Sequence, residues 1–129
     1  TRCGVFADSM KLQVGEDIFY PDVFVTCDAD DLRTDQIFRA PKLIIEVLSP
    51  STEGYDRGMK FSLYRALPGL AEYLLVHPDT REASLFRRGT DGLFTLHDFS
   101  NEATIELASI ACILARDELF EGVGAEPDA

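Results

Sequence analysis

The stretch 41–60, PKLIIEVLSPSTEGYDRGMK, limits most sharply what this chain can become. It contains an apolar run, 43–48, rich in β-branched residues and of strand length. Leu43, Ile45 and Val47 share one face of that strand; Ile44, Glu46 and Leu48 share the other. Both faces are apolar apart from Glu46, which predicts a central strand covered on both sides. A carboxylate there is costly unless it is paired, bound to a metal or turned to water. Glu46 therefore either lies at a solvated end of its face or belongs to a site.

Ser49 and Pro50 stop the strand, and a helix is predicted over about 53–66, capped by Ser51 or Thr52. Tyr55, Met59, Leu63 and Leu67 recur at four-residue spacing and read as its core stripe. Asp56, Lys60 and Tyr64 form a second stripe. Taken alone, Asp56 and Lys60 are an ordinary i,i+4 pair worth roughly 0.3–0.5 kcal/mol. Gly54 and Gly58 weaken the helix by about 1 kcal/mol each, which points to a close backbone approach near the turn. Pro68-Gly69 ends it.

Elsewhere the pattern is mostly β. Short strands are predicted at 5–7 and 11–14, joined by Asp8-Ser9, with a turn at Gly15-Glu16 and an extended 17–20. Pro21 leads into an alternating 22–26, in which Asp22, Phe24 and Thr26 point one way. The connection 27–40 carries Asp28, Asp30, Asp31 and Asp35 but lacks the central Gly and terminal Glu of a calcium loop, and reads as solvated. A strand at 72–77 and a hairpin of 82–88 with 93–99 follow, then a short strand at 105–107, a closing helix over 114–121 and a frayed tail, 122–129. His77 and His97 are far apart, without ligand spacing, and read as structural.

At 129 residues, 46% of them hydrophobic, one domain with a real core is expected over 1–121. No apolar run approaches the roughly 20 residues of a membrane span, and no signal peptide is visible. The chain begins at Thr1, just before a strand, so an upstream segment is expected to be missing. Cys3, Cys27 and Cys112 form no CxxC pair, which argues against a zinc site or a disulfide framework and for a reduced, cytoplasmic setting. The net charge of −11 opposes simple polyanion binding, although a bound divalent cation would change the local field. Phosphate loops, GxSxG elbows and HExxH are absent.

Asp22 and Glu46 each sit near a proline-bounded strand end. If those strands pair, opposed side chains come within about 4.5–5.5 Å between Cβ atoms. Two carboxylates so close repel unless a proton or cation lies between them. Mg²⁺ suits such a pair, with the Val47 carbonyl as a further ligand. Lys60, on the helix that follows, can reach a metal-bound water.

Pro21-Asp22-Val23, Glu46-Val-Leu-Ser-Pro-Ser-Thr52, the series Asp56, Lys60, Tyr64, and Glu72-Tyr73 with Val76-His77-Pro78 together resemble the Uma-type family, a bacterial group within the PD-(D/E)XK nuclease superfamily. The similarity runs over about 5–121. It implies an α/β (α+β), restriction-endonuclease-like fold, a mixed central sheet flanked by helices with an added β-hairpin. It also implies Mg²⁺- or Mn²⁺-dependent phosphodiester cleavage in DNA. By position, Asp22 and Glu46 match the family's metal acids. Leu48 stands at the superfamily's usual lysine position, and Lys60 matches a lysine moved to the helix. His77 stands where the family more often has Asp, and the family's N-terminal helix is not represented.

Two functions remain open from the sequence. One is an endonuclease with Asp22, Glu46 and Lys60 as catalytic groups, supported by Asp56 and Tyr64. The other is a catalytically silent nuclease-fold module used for self-association or partner binding, which the acidic charge favours. A homodimer is expected in either case, because apolar edge strands need covering.

Overall fold

The computed structural model describes residues 3–7, 10–34 and 36–120. The strands are β1 (Gly4–Ala7), β2 (Lys11–Val14), β3 (Asp17–Phe19), β4 (Val23–Thr26), β5 (Ile37–Phe38), β6 (Pro41–Val47), β7 (Glu72–His77), β8 (Glu82–Arg88), β9 (Phe94–Asp98), β10 (Thr104–Leu107) and β11 (Cys112–Ala115). The helices are α1 (Glu53–Tyr55) and α2 (Phe61–Tyr64), joined by a π-helical stretch (Asp56–Lys60) into one helix over 53–64, and a single turn, α3 (Arg116–Leu119).

Six strands form one mixed sheet in the order β1-β4-β6-β7-β8-β9. Only β6 and β7 run parallel, because the helix over 53–64 carries the chain from one to the other; the remaining neighbours are antiparallel. The run 43–48 is thus central, as its two apolar faces require. One face packs Phe24, Ile44, Leu48, Tyr73 and Leu75 against Tyr64 and Leu67 of the helical segment. The other packs Val25, Leu43, Leu74, Val76 and Leu85 against Ile105, Leu107 and Phe120. That second face is covered by the β10–β11 hairpin and α3, not by a long helix. β2 pairs with β3 and β5 in a small side sheet.

Several expectations need correction. Leu114, placed by sequence in a closing helix, lies in β11, and only 116–119 turn helical. Thr52 occupies the helix N-cap but its side chain does not cap; its hydroxyl instead accepts from the Ser49 backbone N–H at 3.1 Å. A Cβ on Gly54 or Gly58 would meet open space, so these glycines mark no close approach. The strands at 5–7 and 11–14 belong to different sheets, and the Asp8-Ser9 link lies outside the described residues, as does the tail 122–129. Cys3 and Cys27 are joined as a disulfide, contrary to the reading of their spacing. The reason is register: Gly4 pairs with Thr26, so the next rung sets the two cysteines opposite.

The connection 27–40 is not simply solvated. Asp31 is buried, and its carboxylate accepts from the backbone N–H groups of Arg39 and Ala40, both at 2.9 Å, and from Thr26 Oγ1 at 2.8 Å. It fixes the loop that delivers the chain into β6. Asp31→Ala strands these donors and is expected to cost about 2–4 kcal/mol in urea denaturation. A loss under about half a kcal/mol would show that the loop holds itself.

Candidate functional site

Asp22 and Glu46 meet where β4 and β6 end together. Val23 pairs with Ile45, so the following rung sets the two acids opposite each other. Side chains close that rung. The Asp22 backbone N–H donates to Glu46 Oε1 at 3.2 Å, and the Val47 N–H donates to Asp22 Oδ2 at 2.7 Å. Each carboxylate therefore clasps the other's strand.

The helical segment supplies the second half. Lys60 Nζ and the Tyr64 hydroxyl donate to Glu46 Oε2 at 3.1 and 3.0 Å. Lys60 Nζ also lies 3.0 Å from Asp56 Oδ1, and the Tyr73 hydroxyl donates to the Asp56 carbonyl oxygen at 3.0 Å. This overturns half of the expected core stripe of Tyr55, Met59, Leu63 and Leu67: Leu67 is buried and Leu63 packs against the core, but the first two positions turn outward. Tyr55 and Met59 are exposed, whereas Asp56 and Tyr64 are buried. The polar stripe turns inward because buried Glu46 gives it partners that water would otherwise provide. Asp56 and Lys60 also bound the π-helical stretch, a local widening often found at functional sites.

Burial dominates the electrostatics. It pushes the Glu46 carboxyl up to about 7, against the pull of Lys60 and of the Asp22 N–H. Burial alone would lower Lys60, but Glu46 and Asp56 outweigh it and leave the ammonium raised. Burial likewise raises Tyr64, with Glu46 adding to the shift. Lys60 is thus a firm cation and proton donor, not a free base.

Asp22, Glu46, Asp56 and Lys60 line an open cleft of about 290 Å³, with Tyr20 and Tyr55 beside them. A hollow of about 360 Å³ near Arg65 and Phe94 has no carboxylate in its lining. The cleft's donors are oxygens: two opposed carboxylates, with the Val47 backbone beside them. Such a set fits a hard divalent cation, Mg²⁺ or Mn²⁺, better than a soft one. Among the described residues no group of three or more His, Cys, Asp or Glu could hold a metal, so two acids would bear the charge and water the remaining positions.

The structure brings every expected residue, Asp22, Glu46, Val47, Asp56, Lys60 and Tyr64, to one place. Sequence reasoning missed a neighbouring cluster. His77 Nε2 lies 3.3 Å from Glu53 Oε1, and Arg57 Nε donates to Glu53 Oε2 at 2.8 Å. The i,i+4 spacing of Glu53 and Arg57 was a usable signal; the approach of His77 from β7 was not.

A family model, Uma2, described as "Putative restriction endonuclease", matches residues 1–113. The chain belongs to the Uma2 family. Two uncharacterised proteins of Synechocystis sp. (strain ATCC 27184 / PCC 6803 / Kazusa) are similar to it. The protein slr1290 is 39% identical over 94% of this chain and 65% of its own length; sll1609 is 36% identical over 81% and 62%. The chain thus spans somewhat under two thirds of the length of these relatives. A crystal structure from Anabaena variabilis ATCC 29413, described as "a putative nuclease belonging to DUF820", superposes with a TM-score of 0.71 at 22% identity, over 92% of this chain and 68% of that one. This likeness shows the nuclease-like mixed α+β fold. Among the described residues no helix is long and apolar enough to cross a membrane.

Proposed function

We propose that this Uma2 chain is the core of a Mg²⁺- or Mn²⁺-dependent endonuclease that hydrolyses DNA phosphodiester bonds. The observation that supports it most is the clasped Asp22–Glu46 pair with Lys60 on Glu46, open to solvent through a cleft. Asp22 and Glu46 would hold the ion, with the Val47 carbonyl as a further ligand. When bound, such an ion polarises the phosphate and lowers the pKa of its water. Lys60 orients a water through its N–H donors and stabilises charge developing on the phosphate. Asp56 fixes the Lys60 ammonium, and Tyr64 fixes the Glu46 carboxylate. We place the protein in the cytoplasm, where reduction would open the Cys3–Cys27 disulfide and leave the β1–β4 ladder to hold the edge strand.

The test is plasmid nicking by a full-length protein in Mg²⁺ or Mn²⁺, with EDTA as control. Because Glu46 must ionise to bind a cation, its position near 7 predicts about tenfold more nicking at pH 8 than at pH 6 under subsaturating metal. A flat profile, or nicking that survives EDTA, would sink the reading.

A second reading is a silent module used for self-association or partner binding. It draws on the engagement by Glu46 and Asp56 of Lys60, the one cation lining the cleft among the described residues. Val5 on edge strand β1 and Leu96 on edge strand β9 are exposed and would serve a homodimer. Intact DNA in both metals, with a stable dimer by light scattering, would favour it.

A further inference from the structure

All four tyrosines of the chain gather at the cleft and divide into two pairs. Tyr64 and Tyr73 are buried beneath it, and both hydroxyls are bonded. Tyr20 and Tyr55 stand at its opening, 54% and 46% exposed. They come from different elements, the connection between β3 and β4 and the first turn of the helical segment. Among the described residues neither rim hydroxyl has a hydrogen-bond partner. Packing explains the inner pair; of the rim pair, Tyr55 carries Lys60 Nζ 5.4 Å from its ring centroid, and both rings keep a large solvent-facing surface.

The surrounding charge limits what the rim could hold. Asp22, Glu46 and Asp56 line the cleft against one cation, Lys60, which Glu46 and Asp56 already occupy. The next cation along the helix, Arg57, is paired with Glu53. DNA of either form brings phosphates that lysines and arginines would hold, and among the described residues no row of free cations borders this cleft, so charge favours neither form and the affinity has to come from the bases. Stacking of a base on an aromatic ring needs no charge and is worth about 1–3 kcal/mol per base. It requires that the base be out of its pair, because a stacked and paired base presents no free face. Val47, 47% exposed, adds an apolar surface within the same cleft.

The geometry points to Tyr20 and Tyr55 as a base-stacking pair that admits an unpaired DNA strand, so that this site takes single-stranded or locally unpaired DNA in preference to intact duplex. The cleavage of that strand rests on the nuclease reading above; its binding does not. The rings position the strand, and Asp22, Glu46 and Lys60 remain the catalytic groups.

The test is fluorescence anisotropy in Ca²⁺ with a labelled oligothymidylate and a mixed-sequence duplex of equal length. Proteins compared are the wild type, the double variant Tyr20→Leu/Tyr55→Leu and the double variant Tyr20→Phe/Tyr55→Phe. The wild type is expected to bind the single strand about tenfold or more tightly than the duplex. The leucine variant is expected to lose about 10–100-fold in single-strand affinity with an unchanged circular dichroism melt, and the phenylalanine variant to stay within about threefold of wild type. Equal or tighter duplex binding, no single-strand binding, or full affinity in the leucine variant overturns the inference. Cleavage, read separately in Mg²⁺, separates the two claims. The expected binding without cleavage of either DNA removes the nuclease reading and leaves the stacking pair. Duplex cleavage indifferent to both tyrosines removes the pair and leaves the nuclease.

Discussion

Glu46→Gln is expected to abolish metal-dependent nicking and, at the same time, to make the protein harder to melt at pH 8. The loss of activity should reach at least about 10²–10³-fold, because the amide removes a charged ligand and the partner that seats Lys60. The stability effect follows from the pKa. The folded protein holds the Glu46 proton up to about 7, whereas the unfolded chain releases it near 4.5. Stability from this group is therefore complete below 4.5, falls as pH rises between 4.5 and 7, and is absent above. That interval corresponds to on the order of 3 kcal/mol. Glutamine has no proton to lose, so the gap between variant and wild type should widen by about this amount from pH 5 to pH 8 in the absence of metal. Parallel denaturation curves at the two pH values, or undiminished nicking, would contradict the assignment.

The largest loss of stability is expected on the opposite face of the sheet. Glu72, buried on β7, accepts from Arg87 Nε at 2.7 Å, from the Ser109 backbone N–H and hydroxyl at 2.9 and 2.5 Å, and from the Ala108 N–H at 3.2 Å. Burial would raise its pKa, but the Ser109 donors and Arg87 outweigh that and leave it lowered. Its contribution is thus present above about 4.5 and lost as pH falls below. Glu72→Ala leaves Arg87 and the turn before β11 without their acceptor, and should cost about 3–5 kcal/mol, read as a drop of roughly 10–20 °C in Tm at pH 7. The deficit should shrink as the pH is taken below about 4.5, where the contribution of this carboxylate begins to be lost. A Tm within a few degrees of wild type would show that the β10–β11 hairpin docks without this anchor. Asp22 and Glu46 lie across the sheet from it, so ion binding in the surviving folded fraction should be unchanged.

The sequence showed the sheet more readily than it showed the helix. The run 43–48 announced a central strand because β-branched residues on both faces leave few alternatives. Asp22, Glu46 and Lys60 were legible as a group because proline-bounded strand ends and a following helix restrict where they can go. The orientation of that helix was not legible. Hydrophobic spacing favoured Tyr55 and Met59 as the buried face, and the rule failed because it ignores what lies underneath. A buried glutamate reverses the preference by offering bonds to Asp56's partner Lys60 and to Tyr64. Asp31 was hidden for a similar reason: an aspartate in an acidic run reads as solvated until the loop's own N–H groups are seen to converge on it. The Cys3–Cys27 contact is set by strand register, which their spacing of 24 residues does not reveal.

The placement of the tyrosines also decides what light can report. The chain has no tryptophan, and Tyr20, Tyr55, Tyr64 and Tyr73 all stand in or against one cleft. Its ultraviolet emission is therefore a local signal rather than an average over the molecule. Two of these fluorophores face solvent, and one shares a proton-bearing contact with Glu46. The protein thus has its own optical probe at the place where its chemistry is assigned, with no label to attach.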